Sequence, residues 1–200
     1  FTDVLRLKRI EEMVELYYNS NQFVHTLQFL EQAFLSPFRM YEALAEFYEE
    51  KGYFVNSPAR SYRYQVLLAF ACEKDRSHET VYRELLTYDL YLRENVKSRP
   101  DWAADLAVYK AQIRGFYQGE EEERRYLPEY RGFDSRQLAK MTHLEPFVYP
   151  VWDDGKMEWV RKGFEEDWEA VSCPVQVQYV LFDYRNRNPL TFEADVQLVK

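Results

Sequence analysis

Apolar side chains recur every three or four positions through the first half of the chain. Val4, Leu7, Ile10, Val14 and Tyr17 form the first such stripe, the spacing that places side chains along one face of a helix. Asn19-Ser20-Asn21 interrupts it, and Phe23, Leu27 and Leu30 resume it. Ser36-Pro37 reads as an N-cap followed by a first helical residue, because Ser accepts from an orphan amide and Pro has no amide to satisfy. Phe38, Tyr41, Leu44, Ala45 and Tyr48 then share a face, and Gly52 suits a left-handed stop. Ser57-Pro58 repeats the start signal ahead of an apolar run from Tyr62 to Cys72. Ser77 opens a helix with Val81, Leu85, Tyr88 and Leu92 in phase. Asp101 opens another, with Trp102, Leu106, Tyr109, Ile113 and Phe116.

The pattern changes after Gly119. Glu120 to Arg125 is a charged run, read most simply as a solvated helix start or loop, and Leu127 to Gly132 is irregular. Asp134-Ser135 caps a short helix ending near Met141. His143 to Trp152 is extended, with Pro146 and Pro150 demoting it to an edge strand because proline donates nothing to a ladder. Asp153-Asp154-Gly155 is a turn, and Met157, Val160, Phe164, Trp168 and Val171 are in helical phase. Val175, Val177, Tyr179 and Leu181 alternate with their neighbours, as do Phe192, Ala194, Val196 and Leu198. Period-two alternation marks strands with one buried face, so the chain closes in a β-hairpin. The expected class is α+β: an N-terminal bundle of about six helices, then a small antiparallel sheet ending in the hairpin. The expected division is a helical region over 1–118 and an α+β region over 119–200, packed as one unit. A faint echo between Glu15–Val24 and Glu46–Val55 is too short-lived to read as a repeat array.

Composition narrows the classes. The chain has 200 residues, enough to bury roughly 70% of its unfolded surface without a disulfide or metal. Net charge is −8, which opposes binding to duplex DNA or an anionic membrane surface. No apolar run reaches the length of a membrane span and no signal peptide opens the chain, so a cytoplasmic location is expected. The chain begins with Phe1 rather than Met and enters an amphipathic pattern at once, as expected of a region cut from a longer polypeptide. Aromatic residues make up 18%. They either fill a core between helices or line a binding surface.

Candidate chemistry is sparse. The three histidines are His25, His78 and His143, and the two cysteines are Cys72 and Cys173. No His-x-x-x-His or Cys-x-x-Cys pair converges as metal ligands do. His25 reads as a packed or capping residue and His78 as an exposed one. Cys72, among Leu68, Ala69, Phe70 and Ala71, reads as a buried inert thiol, and Cys173 has no basic neighbour to activate it. His143 and Glu145 stand at i and i+2 on a predicted strand and share a face. Such a pair can poise a general base, or it can be an ordinary polar pair on a solvated face. The turn Asp183-Tyr184-Arg185-Asn186-Arg187-Asn188-Pro189 is the densest polar cluster. Arg185 and Arg187 could clamp a carboxylate or phosphate. The competing reading is a turn braced by Asp183 against one of the two arginines.

Two stretches carry a family resemblance. Leu7-Lys8-Arg9-Ile10-Glu11-Glu12-Met13-Val14-Glu15-Leu16-Tyr17-Tyr18-Asn19-Ser20, followed by Phe23, resembles the segment just after the catalytic barrel of bacterial radical S-adenosylmethionine (radical SAM) proteins of the cobalamin-binding type. Leu181-Phe182-Asp183-Tyr184-Arg185, with Pro189-Leu190-Thr191 and Ala194, resembles the end of the uncharacterised domain that closes many of those chains. The resemblance implies a parent Fe–S oxidoreductase with an N-terminal cobalamin-binding domain. Its barrel would carry Cys-x-x-x-Cys-x-x-Cys for a 4Fe–4S cluster that works with S-adenosylmethionine. Those two domains would be the partners of this region. Cys72 and Cys173 cannot form that motif, so the resemblance places no cofactor and no catalytic residue in this chain. It implies a non-catalytic C-terminal accessory domain that caps the barrel or binds substrate or a partner. The alternatives are a stand-alone helical module binding a protein or peptide, and a self-sufficient enzyme built on His143, Glu145 and Asp183.

Overall fold

A computed structural model describes residues 2–149 and 177–200. The class is α+β. Among the described residues, seven α-helices precede a three-stranded antiparallel sheet in the order β1-β2-β3. The predicted turn at 153–155, the predicted helix from Met157 to Val171, Pro150, Cys173 and Val175 lie outside the described residues. No helix of the described residues is long and apolar enough to cross a membrane.

Packing divides the chain into two compact units, Phe1–Asp89 and Leu90–Lys200. α6 (Lys110–Glu123) contributes Ile113, Phe116 and Tyr117 to the core of the second unit.

The first unit holds α1 (Thr2–Met13), a π-helical turn over Val14–Tyr18, α2 (Val24–Glu31), α3 (Pro37–Glu50), α4 (Arg63–Lys74) and most of α5 (Glu79–Arg93). Ile10, Met13 and Tyr17 point inward, whereas the predicted stripe members Val4 and Leu7 are exposed. Ser36 caps α3 as expected, accepting from the Arg39 amide at 3.3 Å. Gly52 at φ +70° takes the left-handed conformation that follows the helix. Ser57-Pro58 does not start α4, which follows a 3-10 turn over Arg60–Tyr62. Nor does Ser77 cap α5. Its hydroxyl donates to Asp75 at 2.9 Å within a second 3-10 turn, Arg76–His78. The core is aromatic. Tyr17, Phe23, Tyr48, Phe70 and Tyr82 are all nearly inaccessible, and Tyr17 and Tyr48 meet edge-on with their hydroxyls 2.6 Å apart.

The second unit is built on the sheet: β1 (Thr142–Phe147), β2 (Gln178–Asp183) and β3 (Asp195–Val199). β1 is an edge strand, consistent with Pro146. The register pairs His143 with Phe182, Leu144 with Leu181 and Glu145 with Val180. β2 is central, and Val180, Leu181 and Phe182 have no exposed surface. The expectation of one buried face therefore fails for β2, which is covered on both sides. On one side Leu144 and Leu181 pack with Tyr117, Leu127, Tyr130 and Leu138 from α6, α7 (Ser135–Met141) and the loop between them. β3 starts at Asp195, so Phe192 is not part of it. Phe192 is exposed at φ +60° in the connecting loop.

The acidic run after Gly119 forms the last turn of α6, not a helix start or loop. Glu120 is buried and accepts the Tyr126 and Leu127 amides at 3.0 and 2.9 Å. Arg124, at φ +54°, ends the helix. Asp134 caps α7 through a reciprocal capping box with Gln137, satisfying orphan donors at both ends of the motif.

Candidate functional site

The second unit carries a buried polar cluster on the sheet face formed by His143, Glu145, Val180 and Phe182. Strand alternation brings His143 and Glu145 to one side, and His143 Nε2 lies 2.7 Å from Glu145 Oε2. The pair is not solvated. Glu145 is about as inaccessible as the apolar core, at 1%, and burying an unpaired carboxylate carries a heavy penalty. Arg99 supplies the compensation from the segment after α5. Its Nη1 and Nη2 donate to Glu145 Oε2 and Oε1 at 2.8 and 2.6 Å, a two-pronged clamp. Its Nε donates to the Ala104 carbonyl at 2.8 Å, fixing the plane of the guanidinium. Tyr91, from the end of α5, stacks on the His143 ring with centroids 3.5 Å apart and planes 11° apart.

Electrostatics follow from this geometry. Burial pushes the Glu145 carboxyl up, but the hydrogen bonds from Arg99 and His143 outweigh it and hold the group below its usual 4.5. Burial pulls Arg99 down, and the bonds to Glu145 overcome that and leave it more firmly charged than usual. Burial raises the Tyr91 hydroxyl, and the Glu145 charge raises it further against the opposing pull of Arg99. An ionised carboxylate only accepts, so His143 donates to it from Nε2. The imidazole is thus oriented by a carboxylate on one side and covered by a phenol ring on its face.

Asp183, Arg185 and Arg187 lie elsewhere. Because His143 pairs with Phe182, Asp183 faces the opposite side of the sheet. The structure therefore does not bring His143, Glu145 and Asp183 into one site. Asp183 accepts the Tyr130 hydroxyl and, at 2.9 Å, the Arg185 amide. Its side chain does not brace the turn through either guanidinium as the sequence pattern expected. Arg185 donates to the Glu129 carbonyl at 2.7 Å and lies over the Tyr130 ring. Arg187 donates to the Arg93 and Phe192 carbonyls at 2.7 and 2.9 Å and lies over the Tyr184 ring. Both arginines hold main chain.

The other histidines also serve acids. Asp89 is buried and accepts the His25 and Thr26 amides, the Thr26 hydroxyl and His25 Nδ1. It thereby caps α2, whose own N-cap, Phe23, has no side chain able to do so. His78 is buried rather than exposed. Its Nδ1 lies 2.8 Å from Asp75, which also takes the Tyr82 hydroxyl at 2.8 Å. Cys72 is partly buried, and burial raises its thiol further above the reactive range. Among the described residues no group of three or more His, Cys, Asp or Glu converges as metal ligands. Arg99, Tyr91 and Tyr130 escaped the sequence reading. Each acts across forty or more residues, and no local spacing marks such a contact.

A family model described as "Protein of unknown function (DUF4080)" matches residues 1–169. No curated protein and no solved structure matches the chain.

Proposed function

The chain belongs to the DUF4080 family, and we propose that it is the non-catalytic C-terminal accessory region of a bacterial cobalamin-type radical SAM protein. It covers the barrel mouth or holds substrate or a partner there. The likenesses at Leu7–Phe23 and Leu181–Ala194 support the context. The observation that supports the non-catalytic role is the engagement of Glu145, Asp183, Arg185 and Arg187, four of the five side chains singled out for chemistry. A general base needs a free lone pair in a cleft. Glu145 instead takes three close donors from Arg99 and His143, and Asp183 takes Tyr130 and the Arg185 amide. Arg185 and Arg187 are bound to carbonyls. The cobalamin, S-adenosylmethionine and 4Fe–4S cluster belong to the preceding domains. Cys72 and Cys173 cannot supply the cluster's ligands.

A cap is physically sensible, because radical chemistry needs water and side reactions excluded. The test compares the full-length parent with a version lacking this region. Iron and sulfide content should be kept, while S-adenosylmethionine cleavage coupled to substrate turnover should fall and uncoupled cleavage rise. Unchanged coupling would end the proposal. The alternative, a helical peptide-binding module, has less behind it. Rings that could line an aromatic groove, such as Tyr17, Phe23, Tyr48 and Phe70, are turned into the core of the first unit.

A further inference from the structure

The chain carries an excess of acids, and many of its arginines meet a carboxylate. Arg6 and Arg39 reach Glu42, Arg9 reaches Glu49, Arg83 reaches Glu79, Arg93 reaches Glu193 and Arg99 reaches Glu145. Several cations of the second unit depart from that habit, Lys97, Arg131 and Lys140 among them, and three others share one groove. Lys110, Arg114 and Arg136 are exposed and have no carboxylate partner among the described residues. All three line one groove of about 850 Å³ between the start of α6 and α7.

Lys110 and Arg114 are one turn apart on α6 and so lie on the same face. Arg136 approaches from α7. No acidic side chain is among the described lining residues, and the neighbouring Glu121 carboxylate accepts the Ser135 amide at 2.9 Å. The rest of the wall is Leu106, Ala107, Ile113, Tyr117 and Ala139, with Gln118 and Ser135. Clustered like charges repel one another, and among the described residues no carboxylate pairs with these three. Asp134 and Gln137 cap α7 without Arg136, and Tyr117 is held by Thr142. The volume falls within the range of small-molecule sites, which are mostly apolar with a few converging polar groups.

We propose that this groove binds a small organic phosphate. The phosphoryl dianion sits among Lys110, Arg114 and Arg136, and an apolar or aromatic body lies on Ile113, Tyr117 and Ala139. Two guanidiniums suit a phosphate because each can donate two parallel hydrogen bonds, and the lysine adds a point charge. A phosphate monoester uses more of the three positive charges than a monocarboxylate does. This inference stands apart from the accessory role and does not rest on it.

The test is calorimetric titration of the full chain with phenyl phosphate, inorganic phosphate and phenol at low salt. Phenyl phosphate should bind one per chain, about tenfold tighter than inorganic phosphate, because the ring adds apolar burial. Phenol should give no measurable heat. The Arg114→Ala/Arg136→Ala variant should bind about a hundredfold more weakly, about tenfold per guanidinium. Both arginines are exposed, so this variant should melt with the parent chain. As a check free of any substitution, phenyl phosphate should shift the amide resonances of Ser135 and Ala139 in the unmodified chain. Absence of phenyl phosphate binding at millimolar concentration, equal binding by the double variant, equal affinity for inorganic phosphate, or resonance shifts confined elsewhere would each overturn the proposal.

Discussion

Replacing Arg99 with Met isolates the contribution of the buried clamp. Methionine keeps much of the aliphatic stem but removes both donors to Glu145, 2.8 and 2.6 Å away. The carboxylate then keeps one close partner, His143 Nε2 at 2.7 Å. Removing one member of a buried ion pair costs about 3–5 kcal/mol, chiefly because the survivor is stranded. The lower end applies, since His143 remains and the Arg99 side chain is 22% exposed. About 3 kcal/mol should therefore be lost at pH 7, a fall in Tm of about 6–12 °C for a chain of this size. Urea unfolding followed by circular dichroism measures it.

A pH series separates stranded charge from lost packing. In the parent chain Glu145 has a folded pKa below its unfolded value. Its contribution is therefore present above the unfolded pKa and disappears as pH falls through the folded one. Without Arg99 the largest downward influence on that carboxyl is gone, and burial drives its pKa up. Glu145 can then shed its charge by taking a proton in mild acid. The gap between parent and variant should narrow as pH falls from 7 toward 5. Adding Glu145→Gln to the variant should recover part of the loss at pH 7, because no charge is left stranded. A loss under about 1 kcal/mol, or one that is constant with pH, would show that Glu145 is not held as a buried anion by Arg99.

Asp89→Ala should destabilise the first unit by about 3 kcal/mol in the same assay, combining a lost helix cap with stranded buried donors at Thr26; Asp89→Asn, which keeps one acceptor, should lose less. Leu181→Ala, at a site with no exposure on the central strand, should cost about 2–5 kcal/mol. Leu190→Ala, at a residue 87% exposed in the neighbouring loop, should stay within about 0.5 kcal/mol of the parent.

Features decided within a few residues were legible in the sequence. The Ser36 cap, the Gly52 stop, the Asp134 cap and the edge position of the Pro146 strand each depend on a residue's own backbone chemistry. Alternation also put His143 and Glu145 on one face, which is where they lie. What alternation could not tell was whether that face meets water. A polar pair on a strand reads as solvated unless its counter-charge is known, and Arg99 stands forty-six residues away. The central strand did leave a signal, since Val180-Leu181-Phe182 is a continuous apolar run of the kind that marks burial on both faces. Ser77 failed as a start signal because Asp75, two residues earlier, gathers Ser77, His78 and Tyr82 around its own carboxylate. Phe192 fitted the period-two pattern by chance of spacing. The loop geometry that turns it outward depends on Arg187 and Arg93 holding carbonyls on either side of it.

The two polar clusters of the sheet have a common consequence. Buried ion pairs are weak sources of net stability, but they can specify an arrangement. A slip of one residue in β1 would turn His143 and Glu145 toward Tyr117 and Leu138, and Leu144 toward Arg99. The first move strands a carboxylate in an apolar core, and the second leaves a guanidinium without its partner. The same slip in β2 would carry Asp183 away from Tyr130 and expose the mismatch on the other face. Each strand of the pair is thus keyed to its surroundings from opposite sides, which is how a short edge strand interrupted by Pro146 can hold one register. Groups keyed in this way are poor candidates for turnover, since protonating or displacing them would loosen the sheet. Chemistry or binding by this unit is better sought where charge is left unanswered, and within the described residues the groove of Lys110, Arg114 and Arg136 is such a place.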